Sequence, residues 1–214
     1  MTLELKAVTR TFIQGNSQTD ALKEVNLKIR NNSFNVIIGP SGSGKSTLIS
    51  IASLLASPTS GEILINRIQT SQLSNSDKSL IRRSELGIIY QRENLFPFLT
   101  AKENVSVPLL SENKEKAAEL LSNIGFSLHD KYPAEISLFD QQKTALARAL
   151  VNDPSIILAD EPTGELNSGE SEDYLNLINN LKGNRAVLVV TDNPGLEEYF
   201  DHVFCLNEGV ITKR

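Results

Sequence analysis

Four short runs of apolar residues, 35–38, 86–90, 156–159 and 186–190, carry the Val, Ile and Leu content of strands buried on both faces. Three others, 3–8, 25–29 and 62–65, alternate polar and apolar positions, the pattern of half-exposed antiparallel strands. The tail, 203–207 and 210–212 around Glu208-Gly209, reads as a closing hairpin. Helical spacing follows at 46–55, 114–124 and 141–151. The stretch from Tyr90 to Ile156 has no strong strand signal and is broken by Pro97, Pro108 and Pro133. Apolar runs alternating with helical patterns predict an α/β fold with a mostly parallel central sheet and an antiparallel N-terminal part. Residues 92–151 are expected to form a helical subdomain inserted into a core made of 1–91 and 152–214, all within one domain, 1–214. The Ser- and Asn-rich piece 71–79 is expected to be a surface loop.

Composition narrows the function. The chain has 214 residues, 40% hydrophobic and 22% charged, close to an ordinary globular protein. A net charge of −5 offers no basic footprint, so nucleic acid is not expected as a partner. One cysteine, Cys205, cannot form an internal disulfide and is expected to pack as a small hydrophobe in a reducing compartment. No run approaches the about 20 apolar residues of a membrane span, and the first ten residues lack the apolar segment of a signal peptide. Two histidines and one cysteine leave no His/Cys metal cluster to expect. A cytoplasmic protein is expected unless a partner holds it at a membrane.

The strongest local signal is Gly39-Pro40-Ser41-Gly42-Ser43-Gly44-Lys45-Ser46-Thr47, which follows a predicted strand and opens a predicted helix. It matches the phosphate-loop pattern G-x-x-x-x-G-K-[ST]. Small residues let successive backbone N–H groups turn in around a phosphate, and the helix N-terminus adds unpaired donors and partial positive charge. Lys45 is expected to reach the β- and γ-phosphates of ATP, and the Ser46 hydroxyl to ligate Mg²⁺. The run 156–161 ends in Asp160 and Glu161. Asp160 is expected to hold Mg²⁺, and Glu161 to orient or deprotonate the attacking water.

With these residues in place, the chain resembles the ABC-transporter ATPase family over essentially its whole length, and within it the lipoprotein-release and macrolide-export branch (LolD/MacB-like). The resemblance is carried by 39–47, by YQRENLFPFLTAKENVSVPLL at 90–110, by QQKTALARAL at 141–150, by ILADEPTGELNS at 157–168 and by 189–211. It implies a P-loop NTPase (RecA-like) core. Gln91 matches the glutamine that reaches Mg²⁺ and senses the γ-phosphate. Phe12 falls where the family stacks an aromatic on adenine, packing within the N-terminal sheet being the other reading. Residues 96–105, with the apolar Leu95, Phe96, Phe98 and Leu99, match the surface that meets a membrane subunit; the other reading makes them core of the helical subdomain. The resemblance also implies a second cassette, identical or related, whose signature segment closes on each ATP.

The departures from the family are informative. Its signature L-S-G-G-Q is here Ile136-Ser137-Leu138-Phe139-Asp140, so Ser137 remains as a phosphate contact while both glycines are replaced by bulk. Asp140 is expected to act as a helix cap competing with phosphate for N–H groups. About 7 Å from a phosphate charge, it would be repelled by about 2 kcal/mol per unit charge at an effective dielectric of about 20. Asp192 stands where the family has a switch histidine, and a carboxylate can only accept where histidine donates. Asn167 replaces a loop aspartate. The expectation is an ATP-binding subunit that couples Mg·ATP binding and slow hydrolysis to a separate permease of exporter or lipoprotein/peptide-release type, peripheral on the cytoplasmic face of the inner membrane. The alternative is a degenerate cassette serving as a nucleotide-dependent regulatory or scaffolding subunit.

Overall fold

The computed structural model describes residues 2–15, 17–110, 113 and 115–214. Two sheets organise it. The first is antiparallel, in the order β2-β1-β4-β5, built from β1 (Thr2–Gln14), β2 (Ser17–Arg30), β4 (Ser60–Ile65) and β5 (Ile68–Gln69). The second has the order β10-β9-β3-β8-β7-β6. In it β3 (Ser33–Ile38), β6 (Leu86–Ile89), β7 (Ile156–Asp160), β8 (Ala186–Thr191) and β9 (His202–Asn207) run parallel. The edge strand β10 (Val210–Lys213) pairs antiparallel with β9 across the Glu208-Gly209 turn.

The all-apolar strands divide their side chains by parity. Leu188 and Val190 of β8 join Leu3, Leu5, Leu27, Ile29 and, from α1 (Lys45–Ala52), Leu48 and Ile51 in the core between the two sheets. Phe34, Val36, Val187 and Val189 point the other way, against Leu146 and Leu150 of α5 (Leu138–Leu150) and Tyr174 and Ile178 of α6 (Ser168–Leu181). This period of two is the reason such runs are apolar throughout: each face meets its own core. Asn35, buried in β3, is tolerated because its amide donates to Ser33 Oγ and to the Val187 carbonyl, both at 2.8 Å. A third apolar cluster, Ala101, Val105, Ala117, Leu121, Phe126, Ile136, Ala147 and others, gathers α3 (Ala101–Ser106), α4 (Glu115–Asn123) and α5 (Leu138–Leu150).

Several elements differ from the sequence reading. β1 and β2 extend well beyond 3–8 and 25–29, because their outer ends form an exposed hairpin, the adjacent Phe12 and Ile13 included, with no apolar alternation to announce it. The piece 71–79 is not all loop: α2 (Asn75–Glu85) begins within it, capped by Ser74 and Asp77 in a reciprocal capping box. No residue of α2 is fully buried and Ile81 packs half-buried on the core, so the cap rather than a full apolar stripe announces the helix. Of the segment 114–124, Lys114 lies outside the described residues. α5 starts at Leu138, three residues before 141, because Ser137 caps it. The phosphate-loop helix α1 spans Lys45–Ala52, and α6 spans Ser168–Leu181 with Asn167 as its cap.

Candidate functional site

Strand order builds the site. β3, β8, β7 and β6 are consecutive neighbours and parallel, so their C-terminal ends form one row. The phosphate loop leaves β3, Asp192 follows β8, Asp160 ends β7 with Glu161 next, and Gln91 lies two residues past β6. A cleft of about 350 Å³ at this edge is lined by Ser41, Gly42, Gly44, Lys45, Ser46, Thr47, Gln91, Glu161 and Asp192, with Ala21 from β2 as its wall. Ala21 carried no sequence signal, since it enters only through the approach of the antiparallel sheet.

The loop's glycines have distinct duties. Gly44 has φ +107°, and a Cβ there would meet the Ala21 carbonyl at 2.3 Å. Gly42 has φ +80° with nothing within 4 Å of its missing Cβ, so its backbone borders open cleft. Gly39 and Pro40 lie beneath, and their carbonyls accept from Lys45 Nζ at 2.8 and 3.1 Å. Lys45 is almost wholly buried, and its ammonium also lies 3.3 Å from Glu161 Oε1. Ser43 Oγ is buried without a hydrogen-bond partner among the described residues.

Ser46 Oγ donates to Asp160 Oδ1 at 3.3 Å. Burial pushes the Asp160 carboxyl above its ordinary value, partly offset by the Ser46 hydrogen bond and the nearby Lys45 charge. Glu161 sits at φ +46°, a strained conformation for a side-chain-bearing residue, with its N–H donating to the Val190 carbonyl at 2.9 Å. Gln91 also borders a second cavity, of about 580 Å³, shared with Asp160, Gln141 and Pro133. These features fit the expected ligands. An uncovered backbone loop at a helix N-terminus with a buried lysine suits a polyphosphate. A hydroxyl, a carboxylate and an amide oxygen are the hard donors Mg²⁺ takes.

Gly39, Pro40, Ser43 and Asp160 adjoin the cleft without lining it, whereas Phe12 and Ser137 lie apart from it. Phe12 is 47% exposed on the outer hairpin, with the Arg10 guanidinium 4.7 Å from its ring centroid, so it is not packed into the sheet either. Ser137 caps α5: its Oγ accepts from the Asp140 N–H at 3.1 Å. That corrects the expectation for Asp140, which is not the cap but the third helical residue, its carboxylate accepting from the Ser137 hydroxyl at 2.8 Å and facing Lys143 at 3.7 Å. Phe139 is also redirected. Its half-buried ring turns inward, edge-on to Tyr174 with centroids 6.4 Å apart, so its bulk joins the chain's own core. Phe96 and Phe98 are 41% and 72% exposed, which removes them from the helical core.

The model of the ABC transporter family matches residues 22–164. The chain belongs to the ABC transporter family. This ABC cassette is 38% identical to the ABC transporter ATP-binding protein MJ0796 of Methanocaldococcus jannaschii, over 99% of its own length and 95% of that protein's. It is likewise 38% identical to the lipoprotein-releasing system ATP-binding protein LolD 1 of Rhodospirillum rubrum, covering 98% and 97%. Its 41% identity to the macrolide export ATP-binding/permease protein MacB of Hyphomonas neptunium covers 98% of the cassette and 34% of that longer protein. In three dimensions it is similar to a dimeric post-hydrolysis structure of MJ0796 bound to ADP and Pi, with TM-score 0.89, 36% identity and 99% and 97% coverage. The cassette is thus an ABC-type ATPase, an ATP-binding subunit of LolD/MacB type. Among the described residues, no helix is long and apolar enough to cross a membrane.

Proposed function

We propose that the cassette binds Mg·ATP in the cleft at the C-terminal ends of β3, β8, β7 and β6, hydrolyses it slowly, and drives a separate membrane permease of export or lipoprotein-release type. The observation that carries this is the convergence of Lys45, Ser46, Gln91, Glu161 and Asp192 on one cleft, with Asp160 hydrogen-bonded to Ser46. Lys45 would exchange its loop carbonyls and Glu161 for the β- and γ-phosphates. Ser46, Asp160 and Gln91 would hold Mg²⁺, which when bound neutralises phosphate charge. Glu161, released from Lys45, would accept the proton of the attacking water.

Slow turnover rests on two carboxylates. Asp192 lines the cleft and can only accept a hydrogen bond there. Asp140 occupies the first turn of α5 and accepts a hydrogen bond from the Ser137 hydroxyl, leaving Ser137 less free to donate across to a second cassette's nucleotide. With an identical partner both sites would carry both defects; with a different one the defects would separate. The dimeric MJ0796 structure supports such pairing. We read 92–151 as the helical subdomain because the core of α3, α4 and α5 draws its fully buried members from that range alone. The exposed Phe96 and Phe98, centroids 5.8 Å apart, support docking of the permease there, which would hold the cassette at the cytoplasmic face of the membrane.

Turnover of Mg·ATP by the cassette, purified with its permease, against Lys45→Ala and Glu161→Gln tests this reading. Turnover that both variants lack is expected, with Glu161→Gln retaining nucleotide. Turnover no higher than the Lys45→Ala control would leave the regulatory reading, which the carboxylate at Asp192 favours.

A further inference from the structure

The hairpin of β9 and β10 touches the phosphate loop at its turn, where the Gly209 N–H donates to the Ser43 carbonyl at 3.1 Å. β2 runs alongside it, with the Lys23 N–H donating to the Gly209 carbonyl at 2.9 Å. Followed away from that turn, β2 ends in Lys28 and Arg30, while the hairpin opens at His202, Phe204 and Lys213. These five residues line a cavity of about 290 Å³. Four of the five are basic, and among the described residues no carboxylate lines it, in a chain whose net charge is −5.

Register explains the convergence. Lys28 and Arg30 share the solvent face of β2 because Leu27 and Ile29 face the core. Phe204 stands opposite Lys213 in the β9–β10 ladder, and His202, two residues earlier, shares its face. Phe204 packs on the core between the sheets and forms the apolar back of the cavity. Among the described residues Lys28 pairs with Glu4 Oε1 at 3.5 Å, while Arg30, His202 and Lys213 form no ion pair. The neighbouring Arg214 is taken by Glu197, and Lys182 by Asp201. Unpaired like charges around a concave apolar wall focus a positive potential that an anion relieves, and a guanidinium fork matches phosphate oxygens.

We propose that this cavity is a second anion site, taking a phosphate-bearing ligand and distinct from the nucleotide cleft. His202 is level with Asn35 near the start of β3, whereas the phosphate loop follows Ile38 at its end. The phosphate could belong to a soluble phosphate ester or to the headgroup of an acidic phospholipid.

The sequence has two histidines, which makes His202 a direct reporter, with His129 as the internal reference. Inorganic pyrophosphate titrated into the full chain should move the His202 ring resonances saturably and leave those of His129 in place. Arg30→Ser with Lys213→Ser should weaken that binding at least about tenfold, because each removes a charge-assisted contact. The same variant should keep wild-type circular dichroism and ATP turnover. Co-sedimentation with phosphatidylglycerol but not phosphatidylcholine vesicles, lost in the double variant, would identify a lipid headgroup as the source. A pyrophosphate response without co-sedimentation would identify a soluble ligand. A His202 signal indifferent to pyrophosphate, together with sedimentation the variant does not change, would overturn the proposal. So would a His202 response that survives undiminished in the variant.

Discussion

Ser137 and Asp140 satisfy each other at the start of α5: the Ser137 oxygen accepts the Asp140 N–H at 3.1 Å and its hydroxyl donates to the Asp140 carboxylate at 2.8 Å. Restoring donors here and in the cleft should speed the reaction. The combination Leu138→Gly, Asp140→Gln and Asp192→His is expected to raise Mg·ATP turnover about tenfold or more, since one preorganised donor is typically worth about 10²–10³ in rate. Unchanged turnover would mean these positions do not limit the rate. Phe139 is best left alone. Its ring packs on Tyr174, and Phe139→Gly should cost about 1–3 kcal/mol in urea unfolding without helping turnover.

Gly42 and Gly44 should behave as opposites. Gly44→Ala forces a methyl to 2.3 Å from the Ala21 carbonyl at φ +107° and is expected to lose about 3 kcal/mol or more of stability. Gly42→Ala meets no neighbour, so only the left-handed backbone costs it, about 1–2 kcal/mol. It should fold yet bind nucleotide at least about tenfold more weakly. Thermal melts beside a fluorescent-nucleotide titration would separate the two effects.

Asp160 is predicted to oppose stability while serving the site. Burial raises its carboxyl above the ordinary 3.8, so the folded state holds that proton more tightly than the unfolded chain does. The favourable contribution is therefore present at the acid end and is lost as pH rises through the raised folded value, leaving a constant penalty at neutral pH. Asp160→Asn should remove it and raise Tm at pH 7, each kcal/mol corresponding to about 2–4 °C. The gain should shrink towards pH 4, and Mg-dependent nucleotide binding should fall. A lower Tm at pH 7 would contradict the account.

The Tyr174 hydroxyl, fully buried, donates to the Gln142 carbonyl at 3.0 Å and ties α6 to α5. Burial holds its ionisation far above the usual phenol range, so it remains a neutral donor at every working pH. Tyr174→Phe should cost about 1 kcal/mol in urea unfolding, and equally at about pH 6 and about pH 9. A pH-dependent loss would place a charged group in that contact.

Much of the architecture was legible because it is written in short-range spacing. The four apolar runs read as buried strands because each is only four or five residues long, too short for a buried helix, and rich in Val, Ile and Leu. The spacing from Gly39 to Thr47 could be read as a phosphate loop because its chemistry depends on consecutive backbone groups. The exposed ends of β1 and β2, and α2 announced by its cap, left no full apolar periodicity to read.

The sequence by itself determined the strand–loop–helix that carries Lys45 and Ser46, and the acidic pair at the end of β7, because local chain geometry suffices to place them. Tertiary structure alone decided the rest. The order β3-β8-β7-β6 put Gln91, Asp192 and Glu161 on one cleft. Packing against α6 turned Phe139 inward, and a hydroxyl rather than a carboxylate closed the first turn of α5. Two sheets meeting along their edge strands β2 and β10 gathered Lys28, Arg30, His202 and Lys213 from three strands. The physical reason is common to all of these: strand neighbours and side-chain directions are set by which surfaces bury one another across the chain, and spacing along the sequence does not record it.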